Sequence, residues 1–287
     1  MRFHYQIGMC DTNQYVPLAQ AAEGAGFDGI TIPDSICYPE SATSQYPYNA
    51  DGSREFLENE PFIESLIAVT AMAAVTDRIR FATFVYKLAV RQVVGVAKQV
   101  QSIQALSGDR FDFGIGISPW DEDFDAMQTP KSGRGKRFDE QIEIFQGLEG
   151  GEYFGYEGTV HKLPAIRMRP VPNARTPLLI GGHSEAALKR AARYDGWMCA
   201  GLDAEQVGGY VQKIRAYRAE LGRDMEGYRV YTPSGDGFTH DGVERLAGAG
   251  VTDLVVGFRD VYNMQPDLPL DAKLEALQGY ASAFIGS

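Results

Sequence analysis

A glycine-rich turn in the middle of the chain carries residue types that are suited to holding a phosphate. Gly181, Gly182, His183 and Ser184 follow a short apolar run and precede a helical pattern. Paired glycines let the backbone approach a ligand closely, and the free N–H groups at the start of a helix attract an anion. Ser184 can add a hydrogen bond, but a serine here is equally typical of a helix N-cap. The motif therefore predicts either a phosphate cradle or a plain tight turn.

A carboxylate occupies a second position where chemistry is expected. Asp34 follows Pro33 at the end of an apolar run. A carboxylate at such a position can hydrogen-bond a ring nitrogen or act as a general base. The alternative is that Asp34 only caps a loop or a helix.

Charged residues cluster between positions 121 and 137. The segment KSGRGKR supplies Lys131, Arg134, Lys136 and Arg137, which suggests an anionic partner in so acidic a chain. The alternative is a solvated loop balanced by the acidic residues just before it, Asp121, Glu122, Asp123 and Asp125. Those acids lack histidine or carboxylate partners at metal-ligand spacing elsewhere, so we expect no metal and interpret them as acids at a helix N-terminus.

Other common catalytic patterns are missing from the sequence. No Ser-His-Asp arrangement, HExxH, P-loop or GxGxxG motif occurs, which argues against hydrolase, metalloprotease and Rossmann-type functions. Of the four histidines, only His183 is expected near a strand end. The three cysteines, Cys10, Cys37 and Cys199, are odd in number and lack CxxC spacing, which favours a reducing compartment.

The elements that must position these residues alternate between strand-like and helix-like segments. Eight such pairs predict a parallel sheet closed into a (β/α)8 TIM barrel, formed by a single domain over residues 1–287. The predicted strands are Phe3–Gly8, Gly29–Ile32, Ile79–Val85, Phe111–Ile117, Pro177–Gly181, Trp197–Ala200, Tyr228–Thr232 and Asp253–Gly257. The predicted helices are Tyr15–Ala25, Pro61–Val75, Val93–Leu106, Arg134–Leu148, Ser184–Tyr194, Ala204–Leu221, His240–Ala249 and Ala272–Phe284.

The active site of such a barrel lies at the carboxyl ends of its strands. The residues that directly follow the predicted strands should therefore meet at one mouth. They are Cys10 and Asp11, Asp34, Val85 to Lys87, Gly116 to Trp120, Gly181 to Ser184, Ala200 and Gly201, Ser234, and Phe258 with Arg259.

Two segments fall outside the repeat and are predicted to be insertions. Ser35–Glu60 is long, polar and rich in tyrosine, and it follows the second strand, so we expect a lid over the mouth. Glu152–Arg169 alternates aromatic and polar residues around Glu157-Gly158, which predicts a β-hairpin before the fifth strand. The hairpin should pack on the barrel or on another subunit.

The overall charge narrows the choice of partners. The chain has 287 residues, a formal net charge of -11 and 44% hydrophobic residues. This acidity disfavours nucleic acids and anionic membranes, and the N-terminus lacks a signal-peptide pattern. We therefore expect a cytoplasmic protein with a small-molecule substrate.

Taken in order, several phrases resemble the luciferase-like monooxygenase superfamily. They are AAEGAGFDGITIPDS, AAVTDRIRFATFV, AKQVQSIQALSGDRFDFGIGISPWDEDF, RGKRFDEQIEIFQGL and LLIGGHSEAALKRAARYDGW, which together span most of the chain. The segment SICYPE and the tyrosine-rich loop after it look closest to the coenzyme F420-dependent branch.

This resemblance implies several site roles. It implies a non-proline cis peptide at Phe84–Val85 against a flavin or deazaflavin ring, contact of Asp34 with the ring, and a lining from Gly116 to Ser118. Gly181, Gly182 and Ser184 match the phosphate cradle, with His183 beside them, and Arg137 in the basic segment is expected near the anionic tail of the cofactor. Family members are often dimers, so a homodimer is expected.

One position departs from the family pattern. Many F420-dependent relatives have histidine directly after the residue that matches Asp34, whereas this chain has Ser35. The role of proton donor would then be vacant or pass to Glu60, Tyr38 or Cys37.

Three functions remain open at this level. The first is an oxidoreductase that uses F420 to transfer a hydride to or from a small organic substrate. The alternatives are an FMN-dependent monooxygenase of the same superfamily and a flavin- or deazaflavin-binding protein without catalysis. A titration with F420 and FMN tests the cofactor, oxygen consumption with reduced FMN identifies the monooxygenase, and tight binding without turnover on any electrophile identifies the binding protein.

Overall fold

The computed structural model describes residues 1–49 and 52–286 and has a closed barrel of eight parallel strands at its centre. Each barrel strand pairs with the next barrel strand along the chain, and the last pairs with the first to close the ring. The barrel strands are β1 (Arg2–Gln6), β2 (Gly29–Ile32), β3 (Arg80–Thr83), β5 (Phe111–Gly116), β8 (Leu178–Gly181), β9 (Gly196–Met198), β10 (Arg229–Pro233) and β11 (Asp253–Val256). The predicted TIM barrel is confirmed.

Helices surround the barrel in the predicted alternation. They are α1 (Tyr15–Gly24), α2 (Ser65–Ala73), α3 (Val93–Ser107), α4 (Asp121–Ala126), α5 (Arg134–Glu149), α6 (Glu185–Ala191), α7 (Ala204–Glu220), α8 (His240–Gly248) and α9 (Leu270–Phe284). Eight of these follow a barrel strand as its crossover, and α4 is an extra helix between β5 and α5. Within the described ranges, no helix has the length and apolar character needed to cross a bilayer.

The third predicted strand differs from the structure in its bounds. The sequence predicts one strand over Ile79–Val85, but β3 ends at Thr83 and a separate two-residue strand, β4 (Tyr86–Lys87), pairs with β5. The Phe84–Val85 peptide between the two strands is cis. The second predicted helix also begins late, at Ser65 rather than Pro61.

Two apolar layers hold the fold. The larger layer lies between strands and helices, and the strands that face it read as continuous buried runs because both of their faces are covered. A smaller cluster fills the barrel interior and consists of Ala82, Leu179, Met198, Tyr231 and Val255. Phe84 and Val85 pack on this inner cluster, so they form its upper surface toward the mouth.

A buried ionic network lies at the amino-terminal ends of the strands, the end opposite the mouth. Asp253, the first residue of β11, accepts bonds from His4 at 2.7 Å, Arg229 at 3.1 Å and Arg2 at 2.7 Å. Arg229 also pairs with Asp112 at 2.6 Å, and both carboxylates are essentially fully buried. Burial raises the pKa of the Asp253 carboxyl, but bonds from His4 and Arg2 outweigh it and hold that pKa far below its usual range.

The predicted hairpin is confirmed and consists of β6 (Phe154–Glu157) and β7 (Lys162–Ile166), which pair antiparallel. It packs on α5 of its own barrel. The Glu140 carboxylate accepts bonds from three successive N–H groups at the hairpin tip, and Tyr156 donates to Glu143 at 2.5 Å.

Candidate functional site

A cavity of about 1190 Å³ opens at the carboxyl ends of the barrel strands. Most of the residues predicted to follow the strands line it, which confirms the predicted position of the mouth. These lining residues are Cys10, Asp34, Val85, Lys87, Ile117, Pro119, Trp120, Gly181, Gly182, Ala200, Gly201, Ser234, Phe258 and Arg259. A cavity of this size can hold a multi-ring cofactor and a small substrate together.

Val85 forms an apolar shelf on the floor of this cavity. The cis peptide that joins it to Phe84, implied by the family resemblance, is present. Glycines surround the shelf on both sides: a Cβ at Gly116 would lie 2.8 Å from the Val85 side chain, and one at Gly181 would lie 2.9 Å from it. Larger residues at either position would push Val85 out of place, so the two glycines are needed for the shelf.

The glycine-rich turn lies at the edge of the shelf. Gly182 has φ +113, a backbone conformation that L side chains rarely adopt. The Trp197 indole N–H donates to the Gly182 carbonyl at 2.9 Å, which fixes the turn. Ser184 accepts a bond from the Ala187 N–H as the N-cap of α6, so the predicted N-cap is present, whereas phosphate binding stays a prediction.

His183 lies beside the cavity rather than in its wall. Its Nε2 accepts a bond from the Ala200 N–H at 3.0 Å, and its ring packs near Trp197, Tyr210 and Tyr48. Burial lowers the pKa of His183. The bond and the lowered pKa both favour a neutral imidazole, so His183 positions the loop after β9.

Asp34 is part of the cavity wall, but its carboxylate is fully buried and saturated with bonds. Oδ2 accepts from the Lys87 N–H at 2.8 Å and from Arg91 at 2.7 Å. Oδ1 accepts from Arg91 at 2.8 Å and from the Ser65 hydroxyl at 3.3 Å. A carboxylate that is tied to an arginine in this way has no free lone pair for a base role. The geometry favours a structural role for Asp34, which holds β4 next to the start of the segment 35–60.

A second ion pair lies under the cavity floor. The Lys87 Nζ is 2.8 Å from Asp123 Oδ2, and both side chains are buried. Ser118 donates to the same carboxylate and accepts a bond from the Trp120 N–H at 3.0 Å. Ser118 therefore lies behind the cavity wall and orients Trp120, while its predicted place against a ring stays untested.

The Glu122 carboxylate holds the middle of the lid, residues 35–60, against the barrel. Positions 50 and 51 of the lid lie outside the described residues. Glu122 on α4 accepts bonds from the Thr43 N–H at 2.7 Å, the Ser44 hydroxyl at 2.8 Å and Arg54 at 3.2 Å. Burial raises the pKa of the Glu122 carboxyl, but the bonds from Thr43 and Ser44 outweigh it and lower that pKa to about 2. The Glu122 carboxylate therefore stays charged at neutral pH.

Aromatic side chains of the lid close the cavity from above. Tyr46 stacks on Trp120 with ring centroids 5.1 Å apart, and its hydroxyl lies 3.3 Å from that of Tyr262. The Arg54 guanidinium also lies over the Trp120 ring, 4.4 Å from the ring centroid. Tyr46, Tyr48, Phe56 and Leu57 line the cavity, so this part of the segment covers the mouth as predicted.

The other residues predicted for catalysis are placed less favourably. Glu60 is held in a two-bond ion pair with Arg259, at 2.5 and 2.9 Å, and Arg259 lines the cavity. Tyr38 is 36% exposed and lies beside Arg54 at the outer side of the lid. Cys37 is exposed as well. Neither Tyr38 nor Glu60 belongs to the cavity lining, and their catalytic roles stay predictions.

The structure does not bring the basic segment to the cavity. The Arg137 guanidinium donates to the backbone carbonyls of Ala89, Ser132 and Pro130, and its side chain is buried. Arg137 thus anchors the start of α5, and contact with a cofactor tail would require those bonds to break. Asp121, Glu122 and Asp123 form the first turn of α4, as predicted. Among the described residues, no group of three or more His, Cys, Asp or Glu side chains is arranged to hold a metal ion.

Sequence reasoning missed the partners of the predicted residues. Arg91, which holds Asp34, and Glu122, which holds the lid at Arg54, are examples, and each lies far along the chain from the group it contacts. No spacing rule links such positions. For Arg91, the one sequence feature that pointed to the site was its position shortly after the end of a predicted strand.

Comparisons with known proteins place this architecture in a family. A family model described as luciferase-like monooxygenase matches residues 6–239. The uncharacterized protein Rv0940c of Mycobacterium tuberculosis is 47% identical, and the match covers 99% of each chain.

Two solved structures share the fold over the whole chain. One is the coenzyme F420-dependent tetrahydromethanopterin reductase of Methanopyrus kandleri, with TM-score 0.77, 16% identity and coverage of 99% of this chain and 98% of that one. The other is the monooxygenase RslO1 of Streptomyces bottropensis, with TM-score 0.78, 17% identity and coverage of 99% of both chains.

Proposed function

The chain belongs to the luciferase-like monooxygenase family, and we propose that it is an oxidoreductase that uses coenzyme F420 to transfer a hydride to or from a small organic substrate. The observation that carries this proposal is the Val85 shelf, an apolar surface flanked by Gly116 and Gly181 with the glycine turn at its edge, inside a covered cavity. Bound F420 would supply or accept the hydride at its deazaflavin ring. The choice of F420 rests on the family resemblance and on the full-length likeness to an F420-dependent reductase.

The residues present fit a flat ring system with a phosphate group. Val85 would support one face of the ring, and Gly116 and Gly181 leave the room that the shelf needs. Gly181 and Gly182 let a phosphate approach the backbone without side-chain obstruction. A Cβ at Gly182 would be strained by its φ and would lie 3.1 Å from Ala187.

The remaining residues of the chain would orient the substrate and keep water out. Tyr46, Phe56 and Trp120 cover the space above the shelf with apolar surface. Excluding water strengthens electrostatic interactions in the site and prevents loss of the hydride to side reactions. The ion pairs of Asp34 with Arg91 and of Lys87 with Asp123 would hold the floor rigid.

A titration of the purified protein with F420 and, separately, with FMN tests this proposal. We expect F420 to bind with micromolar or lower Kd and FMN at least about tenfold more weakly, which corresponds to about 1.4 kcal/mol. Binding would be followed by cofactor fluorescence. Binding of neither cofactor would overturn the assignment.

A second candidate is an FMN-dependent monooxygenase, because the likeness to RslO1 is as close as that to the reductase. That function predicts preference for FMN and oxygen consumption in the presence of reduced FMN. Tight binding of F420 without turnover on any electrophile would instead favour the non-catalytic binding protein.

A further inference from the structure

A polar patch in the cavity lies apart from the Val85 shelf and is not used in the proposed function. We call it the lysine subsite and define it by four cavity-lining residues, Tyr5, Cys10, Asp267 and Lys273. Tyr5 belongs to β1, Cys10 follows that strand, and Lys273 lies in the first turn of α9. None of these residues was predicted to have a catalytic or binding role.

Lys273 is a buried ammonium that is only partly satisfied. Its side chain is 6% exposed, and its Nζ lies 2.6 Å from Gln14 Oε1 and 2.6 Å from Asp267 Oδ1. An ammonium carries three N–H donors, so one donor remains after these two bonds. In the described part of the chain, no third acceptor contacts this Nζ. An unused donor on a buried cation is costly, and a ligand atom in the cavity would remove that cost.

The two other members of the lysine subsite, Tyr5 and Cys10, carry hydrogen-bond donors. Tyr5 lines the cavity, and its hydroxyl has no hydrogen-bond partner within residues 1–49 and 52–286. Burial and the nearby Cys10 raise the pKa of Tyr5, so its hydroxyl stays protonated. Burial likewise raises the pKa of the Cys10 thiol to about 11, against the lowering effect of Lys273. The Asp267 carboxylate already accepts from Lys273 and from the Asp11 N–H.

The charge of the patch is balanced. Lys273 is paired with Asp267, and the nearest other cavity-lining cation in the same wall, Arg259, is paired with Glu60. An anionic ligand would have to displace a carboxylate from one of these pairs, whereas a neutral oxygen needs only the free donors of Lys273 and Tyr5. Aromatic rings dominate the rest of the covering wall, including Tyr46, Phe56, Trp120 and Phe258.

We infer that the lysine subsite binds a neutral hydrogen-bond-accepting oxygen, of the carbonyl type, on a flat and otherwise apolar substrate. Lys273 donates to that oxygen with its third N–H, and Tyr5 provides a second donor. Lys273 thereby selects the substrate and fixes which end of it points away from the shelf. This inference rests on the proposed function only for the statement that the ligand is the substrate; the binding chemistry itself does not need the cofactor.

A matched series of bicyclic probes tests the inference on the full chain without any cofactor. The probes are 1-indanone, indane and indane-1-carboxylate, which present a neutral acceptor, no acceptor and an anion on nearly the same skeleton. Binding would be measured by saturation-transfer NMR. Since a hydrogen bond to a charged donor is strong, we expect the ketone to bind about tenfold more tightly than the hydrocarbon, and the anion to bind no better than the hydrocarbon.

Two variants and one control connect that preference to Lys273. Lys273→Met should abolish the advantage of the ketone, and Tyr5→Phe should reduce it about threefold. Lys213→Met removes an exposed lysine from α7 and should leave all three affinities unchanged. Lys273→Met leaves Asp267 unpaired, so circular dichroism is used to check that this variant folds. If the variant does not fold, the Tyr5→Phe result alone decides the test.

Other outcomes overturn the inference. Equal affinity of the wild type for ketone and hydrocarbon, including no binding of either, would show that the subsite is inert. Tightest binding of the carboxylate would make it an anion site. A failure of F420 binding would remove the proposed function but would not alter these probe affinities, so the two failures are distinguishable.

Discussion

Charged residues lie at both ends of this barrel, but they are used in opposite ways. At the amino-terminal end, Asp253 and Asp112 face cations from other strands across the barrel axis and fill the interior with mutual bonds. At the mouth, Asp34, Asp123 and Glu60 pair with cations from β4 and from the loops around the opening. The first arrangement fills the lower end of the barrel. The second fixes the loops around the mouth and leaves the centre of the mouth free for ligands.

This difference teaches that stability and ligand binding are separable in the molecule. Substitutions at the lower end should unfold the barrel without changing the site of the molecules that remain folded. Substitutions at the mouth should change binding or lid motion and leave the barrel intact.

The largest effect is expected for Asp253→Ala. It removes a buried carboxylate, leaves the buried His4 without its partner and takes away one of the two carboxylates that Arg229 contacts, so the free energy of unfolding should fall by about 3–5 kcal/mol. Urea denaturation measures this loss. The control is Glu157→Gln, which breaks an exposed pair with Lys162 and should cost no more than about 0.5 kcal/mol. Similar losses in both variants would contradict a special role for the lower network.

Gly182→Val is expected to have the next largest effect, on binding. A β-branched side chain at φ +113 distorts the turn, so cofactor affinity should fall by about 100-fold, or about 2.7 kcal/mol. Titration of the variant measures the loss. Gly209→Val on α7, where a Cβ meets open space, is the matched control and should bind normally. Unchanged affinity in Gly182→Val would remove the turn from the binding site.

Glu122→Ala is expected to loosen the lid. The variant loses the acceptor for Thr43, Ser44 and Arg54, so the lid should open about tenfold more often, which is about 1.4 kcal/mol. Trypsin cleavage after Arg54, which is 6% exposed in the closed lid, reports the opening. Asp125→Ala, on the exposed side of the same helix, should cleave at the wild-type rate. Equal rates for the two variants would mean that other contacts hold the lid.

The smallest effect is expected for pH. The pKa of Glu122 is lowered from 4.5 to about 2, so its contribution to stability is complete above the unfolded value and is lost as the pH falls toward the folded one. Between about pH 6 and about pH 4, the stability advantage of the wild type over Glu122→Gln should shrink by about 0.8 kcal/mol. Urea titrations of both proteins at the two pH values measure it. If the stability advantage of the wild type is the same at both pH values, protonation of Glu122 does not weaken the attachment of the lid.

Much of the fold could be predicted because it follows from local patterns. The run Gly29–Ile32 is uncharged and rich in β-branched residues, which is typical of a strand covered on both faces, and β2 has these bounds. The mouth followed from topology alone, because parallel strands all end on one side. The split of the third strand into β3 and β4 was missed, because the residues at the break, Thr83, Phe84 and Val85, are all types that favour strands.

The site was predicted in position more than in detail. Asp34 was found from its place after a strand, but its saturation by Arg91 depends on a partner 57 positions away. Arg137 was expected near the cofactor because of its charge, but its guanidinium donates hydrogen bonds to nearby backbone carbonyl groups. Lys273 gave no signal, since a lysine in the first turn of a helix is normally solvent-exposed. Which side chains meet is set by the packed structure, which no local pattern specifies.

The stacking of Tyr46 and Arg54 on Trp120 has an optical consequence. The chain has two tryptophans. Trp120 lies beneath the lid, and Trp197 bonds the glycine turn through its indole N–H. Emission excited at the red edge of protein absorption, where tryptophan alone absorbs, therefore comes from one residue in the cavity wall under the lid and one residue behind the glycine turn. The protein carries its own pair of reporters, one for closure of the lid and one for occupancy of the turn, without any added label.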